Sequence, residues 1–196
     1  MSKLSIAQFI KEFYPDYYQW HEYAVDECVT ITTNEDKWGI LGNLYATPLN
    51  VDGVRFASSE QLFQVMKFTD KEILLDLYRS RGMAPKMKAK KNEKRGLRRP
   101  DWGQIIVDVM KFCLQTKYDQ SEPFRKALKE TAGKTIVEDQ SSRKTTKTVD
   151  TWGAVKVDDK FIGSNLLGRL LMELRDNGKL EYHLPENMFD FLQYLR

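Results

Sequence analysis

Apolar side chains along this chain recur mostly every three to four residues and only briefly every second residue. The clearest helical stretch runs from Phe56 to Phe68, where Ser58 and Ser59 precede Leu62, Phe63, Val65 and Met66. Ser58 followed by Gln61 matches the S-x-x-Q capping box, in which two side chains satisfy otherwise orphaned backbone N–H groups. On that helix Glu60, Gln64 and Lys67 fall at i, i+4 and i+7, a spacing that stacks a carboxylate, an amide and an amine in one column. Glu60 also lies in the first turn, where the helix dipole favours negative charge. Such a column is either a solvated face with an ordinary ion pair or the wall of an active site.

The same patterning predicts elements on both sides of this helix. Ile6, Phe9, Ile10 and Phe13 give a short helix over residues 4–13, stopped by Pro15, and an aromatic connector follows through Tyr14, Tyr17, Tyr18, Trp20 and Tyr23. Val29 to Thr33 is β-branched and reads as a strand. Val51 to Phe56 reads as a hairpin turning at Asp52-Gly53. A helix is expected over residues 70–80, with Gly82 past its end. A longer one starts at Asp101 as N-cap and runs to about Tyr118, with Ile105, Ile106, Val109, Met110, Cys113 and Leu114 as its core stripe. Another opens at Ser121-Glu122-Pro123 and ends near Gly133. Thr135 to Glu138 is a further short strand, and the polar run from Asp139 to Thr148 is a loop. Leu166, Leu167, Leu170, Leu171 and Leu174 form a wide stripe ending at Asn177-Gly178. A last helix after Pro185 turns Met188, Phe189, Leu192 and Leu195 inward. Many helices with a few short strands describe an α+β protein that is mainly α-helical. Long strands alternating with helices are missing, which excludes a doubly wound sheet or a barrel.

Composition narrows the class. At 196 residues the chain suits one domain of ordinary size, and 30% charged residues with a net charge of +3 describe a soluble, mildly basic protein. No apolar run approaches membrane-spanning length and the N-terminus lacks a signal-peptide layout, so a cytoplasmic location without a membrane partner is expected. Cys28 and Cys113 are far apart, no C-x-x-C occurs, and there are two histidines; neither a structural zinc nor a disulfide is expected. The chain is therefore expected to need no metal and no cofactor. Its densest charge is Lys86, Lys88, Lys90, Lys91, Lys94, Arg95, Arg98 and Arg99 against Glu93 alone. Such a run is a solvated face or a surface for phosphates.

No phosphate loop, dinucleotide fingerprint, H-E-x-x-H or G-x-S-x-G is present. His21 and His183 are expected to pack or face solvent. The remaining chemistry is Glu60, Lys67, Asp101-Trp102, Asp150-Thr151-Trp152-Gly153 and Gly163-Ser164-Asn165. Each has a structural alternative: Asp101 as a helix cap, Trp152 as core, Gly163 and Ser164 as a helix start whose N–H groups could receive a phosphate.

In order and spacing these segments resemble the NADAR family (YbiA-like fold), from about Thr33 to Gly178. Also part of the resemblance are Gly42-Asn43-Leu44, Ser58-Ser59-Glu60 with Gln64 and Lys67-Phe68, Val109-Met110, Lys117, and the run from Gly163 to Met172. The chain departs from the family at Leu44, where an aromatic residue is frequent, at Gly103 after Asp-Trp, and in a longer loop before Asp150. The resemblance implies a single compact YbiA-like catalytic domain over residues 26–196, with residues 1–25 an N-terminal extension packed on it. Family members look like N-glycosidases. Some resemble enzymes cleaving phosphorylated ribosylamino-pyrimidine or pyrimidinone intermediates of riboflavin biosynthesis. Others resemble hydrolases that remove ADP-ribose from guanine in DNA, antitoxins to DarT-type toxins.

Carried onto this chain, the resemblance makes Glu60 the general acid/base and gives Lys67 one of two roles: attack on C1 of the opened sugar as a neutral amine, or a charged hold on a phosphate. Asp150 would orient ribose hydroxyls or a water. Trp102 and Trp152 would wall the pocket and stack on a base. Gly163, Ser164 and Asn165 would take the diphosphate, with Arg95, Arg98 and Arg99 as further anionic anchors and Asn43 and Gln64 completing the substrate-binding set. The expected partners are ADP-ribosylated DNA or an ADP-ribose-like nucleotide, and a DarT-type toxin encoded alongside. The riboflavin intermediate and non-catalytic reading of ADP-ribose are the alternatives.

Overall fold

The structure, a computed structural model, describes residues 5–196, so Leu4 of the first predicted helix lies outside it. In chain order the elements are α1 (Ile6–Phe13), α2 (Pro15–Tyr18), β1 (His21–Ala24), β2 (Cys28–Ile31), β3 (Leu49–Val51), β4 (Val54–Phe56), α3 (Ser59–Val65), α4 (Lys71–Tyr78), α5 (Ala84–Lys94), α6 (Trp102–Gln120), α7 (Glu122–Glu130), β5 (Thr135–Glu138), β6 (Val155–Val157), β7 (Lys160–Gly163), α8 (Leu166–Asn177) and a 3-10 helix (Glu186–Tyr194). The mainly helical α+β class holds. Two compact units interleave along the chain: residues to Gly42 with Pro123–Leu180, and Asn43–Glu122 with Glu181–Arg196.

In the first unit β1, β7 and β6 form an antiparallel sheet, with His21 opposite Gly163 and Tyr23 opposite Phe161. β2 and β5 pair in parallel, Val29 opposite Ile136. The aromatic connector is thus partly regular: Pro15 opens α2 as well as ending α1, since a proline in a first turn has no N–H to waste, and the next residues find the edge of β7. α8 lies close against β5. A Cβ on Gly168 would sit 2.1 Å from the Ile136 carbonyl oxygen and 2.6 Å from the Asn165 side chain. Backbone cannot yield as a side-chain tip can, so Gly168→Ala should destabilise the protein by about 3 kcal/mol or more. A lowered denaturation midpoint checks this; an unchanged midpoint would mean α8 can ride off β5.

In the second unit α3 is surrounded by β4, α4, α5 and α6. The β3–β4 hairpin turns where predicted, with Asp52 and Gly53 both at positive φ (48° and 85°), as a tight two-residue turn requires. On α6, Ile106, Val109, Cys113 and Leu114 are fully buried, and so is Lys117, whose amine burial pushes down to about 7.

Three expectations change here. The basic run forms α5, a helix with Pro85, Ala89 and Asn92 buried. Its inward stripe is so small and polar that periodicity misses it. Asp101 precedes α6 without capping it by its side chain, because its carboxylate grips Arg99 at 2.6 and 2.9 Å. The C-terminal segment winds as a 3-10 helix and still buries Met188 and Leu192. Among the described residues no helix is long and apolar enough to cross a membrane.

Candidate active site

The first turn of α3 is fixed by several hydrogen bonds. The Ser58 hydroxyl oxygen accepts the Gln61 N–H at 3.2 Å, the predicted cap. Gln61 does not close the box. Its side-chain oxygen takes the Ala57 N–H at 2.7 Å, and its amide donates to the carbonyls of Tyr78 and Ser80, both at 2.7 Å, tying α3 to the end of α4. Asn43 anchors the same turn: its carbonyl accepts the Glu60 N–H at 3.0 Å and its side-chain oxygen accepts the Ser59 hydroxyl at 3.0 Å. Its amide nitrogen meets Met110 Sδ at 3.2 Å. Asn43 therefore positions Glu60.

Glu60 is 6% exposed. Its Oε1 accepts from Gln64 Nε2 at 2.7 Å and lies 3.9 Å from Lys86 Nζ. The helix proper ends at Val65, and Lys67 follows on a tight turn in which its N–H reaches the Gln64 carbonyl at 3.4 Å. Lys67 is 4% exposed. Its Nζ lies 2.7 Å from Glu93 Oε1, 5.1 Å from the centre of the Phe63 ring and 5.6 Å from that of Trp102. Those rings meet edge to face at 5.3 Å. Burial pushes the Lys67 amine below its usual pKa, while the carboxylates of Glu93 and Glu60 hold it up and Lys86 opposes them. The predicted column is thus buried, not a solvated face, with Glu93, Phe63 and Trp102 around the Lys67 amine. Gln64 Oε1 and Trp102 Nε1 have no hydrogen-bond partner among the described residues, leaving one buried acceptor and one buried donor for a ligand.

Glu93 and Phe63 were missed as site residues. Glu93 had one signal, as the lone acid in a basic run; Phe63 read only as core. Trp102, 1% exposed with the Lys67 amine over its face and Phe63 against its edge, is packed in and not an open stacking platform. Of the predicted anionic anchors, Arg95 is exposed and donates to Asn92 at 3.0 Å, and Arg98 is half-buried. Arg99 is buried with its guanidinium already neutralised by Asp101, so it is no free anion anchor.

The remaining predicted residues belong to the other unit. Asp150 Oδ1 accepts from Gln140 Nε2 at 2.7 Å and from the Trp152 N–H at 3.0 Å, which shapes the Asp150–Gly153 turn. The predicted diphosphate cradle at the start of α8 is filled by that turn. The N–H groups of Asn165, Leu166 and Leu167 donate to the carbonyls of Gly153, Thr151 and Trp152 at 3.1, 3.0 and 3.0 Å. Ser164 donates to the Tyr18 carbonyl at 3.0 Å. Asn165, fully buried and left-handed (φ 47°), accepts from the Glu138 N–H at 3.0 Å and donates to the Ile136 carbonyl at 2.8 Å. A Cβ on Gly163 would sit 2.6 Å from the Gly153 carbonyl oxygen. Gly163, Ser164 and Asn165 hold the Asp150 turn in place.

Residues 30–177, most of the chain, match the NADAR domain. The chain belongs to the NADAR family. This NADAR chain is 30% identical over 156 residues to the N-glycosidase YbiA of Shigella boydii (serotype 4, strain Sb227), covering 80% of itself and 91% of that protein. It is also 30% identical over 158 residues to a riboflavin biosynthesis protein of Vibrio vulnificus (strain YJ016), of which it spans 40%. The NMR structure of Escherichia coli YbiA superposes with a TM-score of 0.62 at 29% identity, over 84% of the NADAR chain and 94% of YbiA. The expected YbiA-like fold is therefore the fold observed.

Proposed function

We propose that this NADAR chain is an N-glycosidase that hydrolyses a ribose C1–N bond, acting on ADP-ribosylated guanine in DNA. The observation that carries the reading is a buried carboxyl group, Glu60, close enough to act on the charge of a buried amine, Lys67, whose pKa burial pushes down. The names of the YbiA relatives support the bond class. As C1 parts from the ring oxygen, Glu60, entering the reaction as the neutral acid, gives that oxygen a proton and becomes the carboxylate, and the base nitrogen remains joined to C1 as an iminium. Lys67, neutral after passing a proton to Glu93, adds to C1. The base nitrogen takes a proton and leaves, and the lysine iminium that remains is released by water as the free sugar. Glu60 and Glu93 recover their starting protonation across this second half.

α5 supports a polyanionic substrate. The helix whose Glu93 grips the amine also presents Lys86, Lys90, Lys91 and Lys94 to solvent, a surface suited to a nucleic-acid backbone. Removal of a mark left by a DarT-type toxin would make the chain that toxin's antitoxin. The name of the Vibrio relative favours a second reading, hydrolysis of a phosphorylated ribosylamine. Incubation with ADP-ribosylated DNA, and separately with the riboflavin intermediate, tests both. Release of unmodified DNA with a steep loss of binding as salt rises is expected. Turnover of the small substrate alone would replace the first reading with the second, and binding without release of base would make the chain an ADP-ribose reader.

Glu93 gives a test through pH. Its carboxylate, in contact with the amine, is the strongest charge holding the Lys67 pKa up. In Glu93→Gln the amine becomes neutral at lower pH, so the rising limb of the rate profile should move toward acid, and the plateau kcat should fall with the proton acceptor gone. A limb that stays in place would assign it to another group.

A further inference from the structure

Five side-chain polar atoms are buried without a hydrogen-bond partner among the described residues. Two, on Gln64 and Trp102, belong to the buried cluster around Glu60 and Lys67. The other three, His21 Nε2, the Tyr23 hydroxyl and Arg169 Nη1, cluster in the first unit. We propose that these three groups form a binding site for a phosphoryl group.

Strand alternation puts His21 and Tyr23 on one face of β1, with ring centres 6.0 Å apart. Tyr23 also packs against the core of Val137, Ala154 and Phe161, which steadies it. Arg169 reaches the same place from the first turn of α8. Its guanidinium lies over the Tyr17 ring at 5.2 Å, and Nη2 donates to the Asp16 carbonyl at 3.0 Å, so the fork is fixed with Nη1 left over. The charge of Arg169 acts on both neighbours, adding to burial in lowering the His21 pKa and opposing burial at Tyr23. The Asn165 amide gives one N–H to the Ile136 carbonyl and has the other within reach of the Tyr23 hydroxyl oxygen, which leaves the Tyr23 O–H itself to donate. The nearest acid on α8, Glu173, accepts the Tyr17 hydroxyl at 3.0 Å, and among the described residues no carboxylate pairs with Arg169.

Leaving three such atoms covered and unbonded is unfavourable. An anion would satisfy all three: Arg169 offers an N–H, Tyr23 an O–H, and His21 a ring N–H when its proton sits on Nε2. Three donors, two from β1 and one from α8, suit the three peripheral oxygens of a phosphoryl group. A planar carboxylate would engage two and leave the third unpaired. The sequence placed a phosphate at the N–H groups that open α8, which the Asp150 turn fills; Arg169 offers the alternative one turn further on. His21 and Tyr23 precede the residues matched to the NADAR domain, so the N-terminal segment supplies two of the three groups.

Titration calorimetry of the full chain with inorganic phosphate, ribose 5-phosphate and ADP-ribose tests the site. Saturable binding is expected, weakened roughly ten- to hundredfold in Tyr23→Phe. The melting temperature of that variant without ligand should change little, because the deleted hydroxyl gives its O–H to no protein group among the described residues. Arg169→Gln should abolish binding, but it also removes the Asp16 contact, so Tyr23→Phe is the deciding variant. Binding of phosphate should survive Glu60→Gln, which sets the site apart from the Glu60–Lys67 cluster. An advantage of ADP-ribose over phosphate that vanishes in Tyr23→Phe would identify the phosphoryl group as a nucleotide's; equal affinities lost together would identify a free oxyanion. No saturable binding, or equal binding to wild type and Tyr23→Phe, overturns the proposal.

Discussion

Glu60→Gln should lower kcat by at least about a hundredfold, the usual worth of a positioned general acid/base, and leave the fold intact. The substitution keeps shape and volume. Gln64 Nε2, which donates to Glu60 Oε1 at 2.7 Å, would still find an amide oxygen there. Lys86, half exposed and 3.9 Å away, would lose little. The variant removes only the ability to give and take a proton, so KM should change far less than kcat. Release of free base at saturating substrate measures the loss, and the thermal melt is the control on folding. Activity above about a tenth of wild type would remove Glu60 from the role.

Lys67→Arg should be at least as damaging, on the order of 10²–10⁴-fold in kcat. An arginine keeps the positive charge and can still pair with Glu93, but it does not deprotonate and cannot attack a sugar carbon. A lysine that merely held a phosphate would tolerate the change with a shift in KM. Lys67→Met is the poorer variant, because it strands the partly buried Glu93 without its partner, which costs about 3–5 kcal/mol when a pair is fully buried. The 18% exposure of the Glu93 side chain lessens that cost by letting water or a proton reach it.

The sequence made α3 legible because one helical period, one serine cap and one polar column coincide there. Whether that column faced water was not legible. α5 decides it, by packing against α3 and α4 with Pro85, Ala89 and Asn92 buried and by reaching Lys67 with Glu93. A stripe of small and polar residues carries no hydrophobic signal. The role of Gly163-Ser164-Asn165 was misread for a related reason. A helix start looks like a phosphate cradle until its N–H groups are seen bonded to Thr151, Trp152 and Gly153. Likewise β1 is four residues of weak alternation whose partner, β7, lies far along the chain. Long-range pairing of this kind leaves no local trace. Asp101 shows that a good N-cap residue serves another partner when an arginine sits two residues away.

Borohydride added during turnover, followed by mass mapping of the protein, tests the pairing of acid and amine most directly. A reduced sugar adduct is expected on Lys67 in the wild type and none at that position in Lys67→Arg. Normal turnover of the wild type with Lys67 unmodified would contradict it.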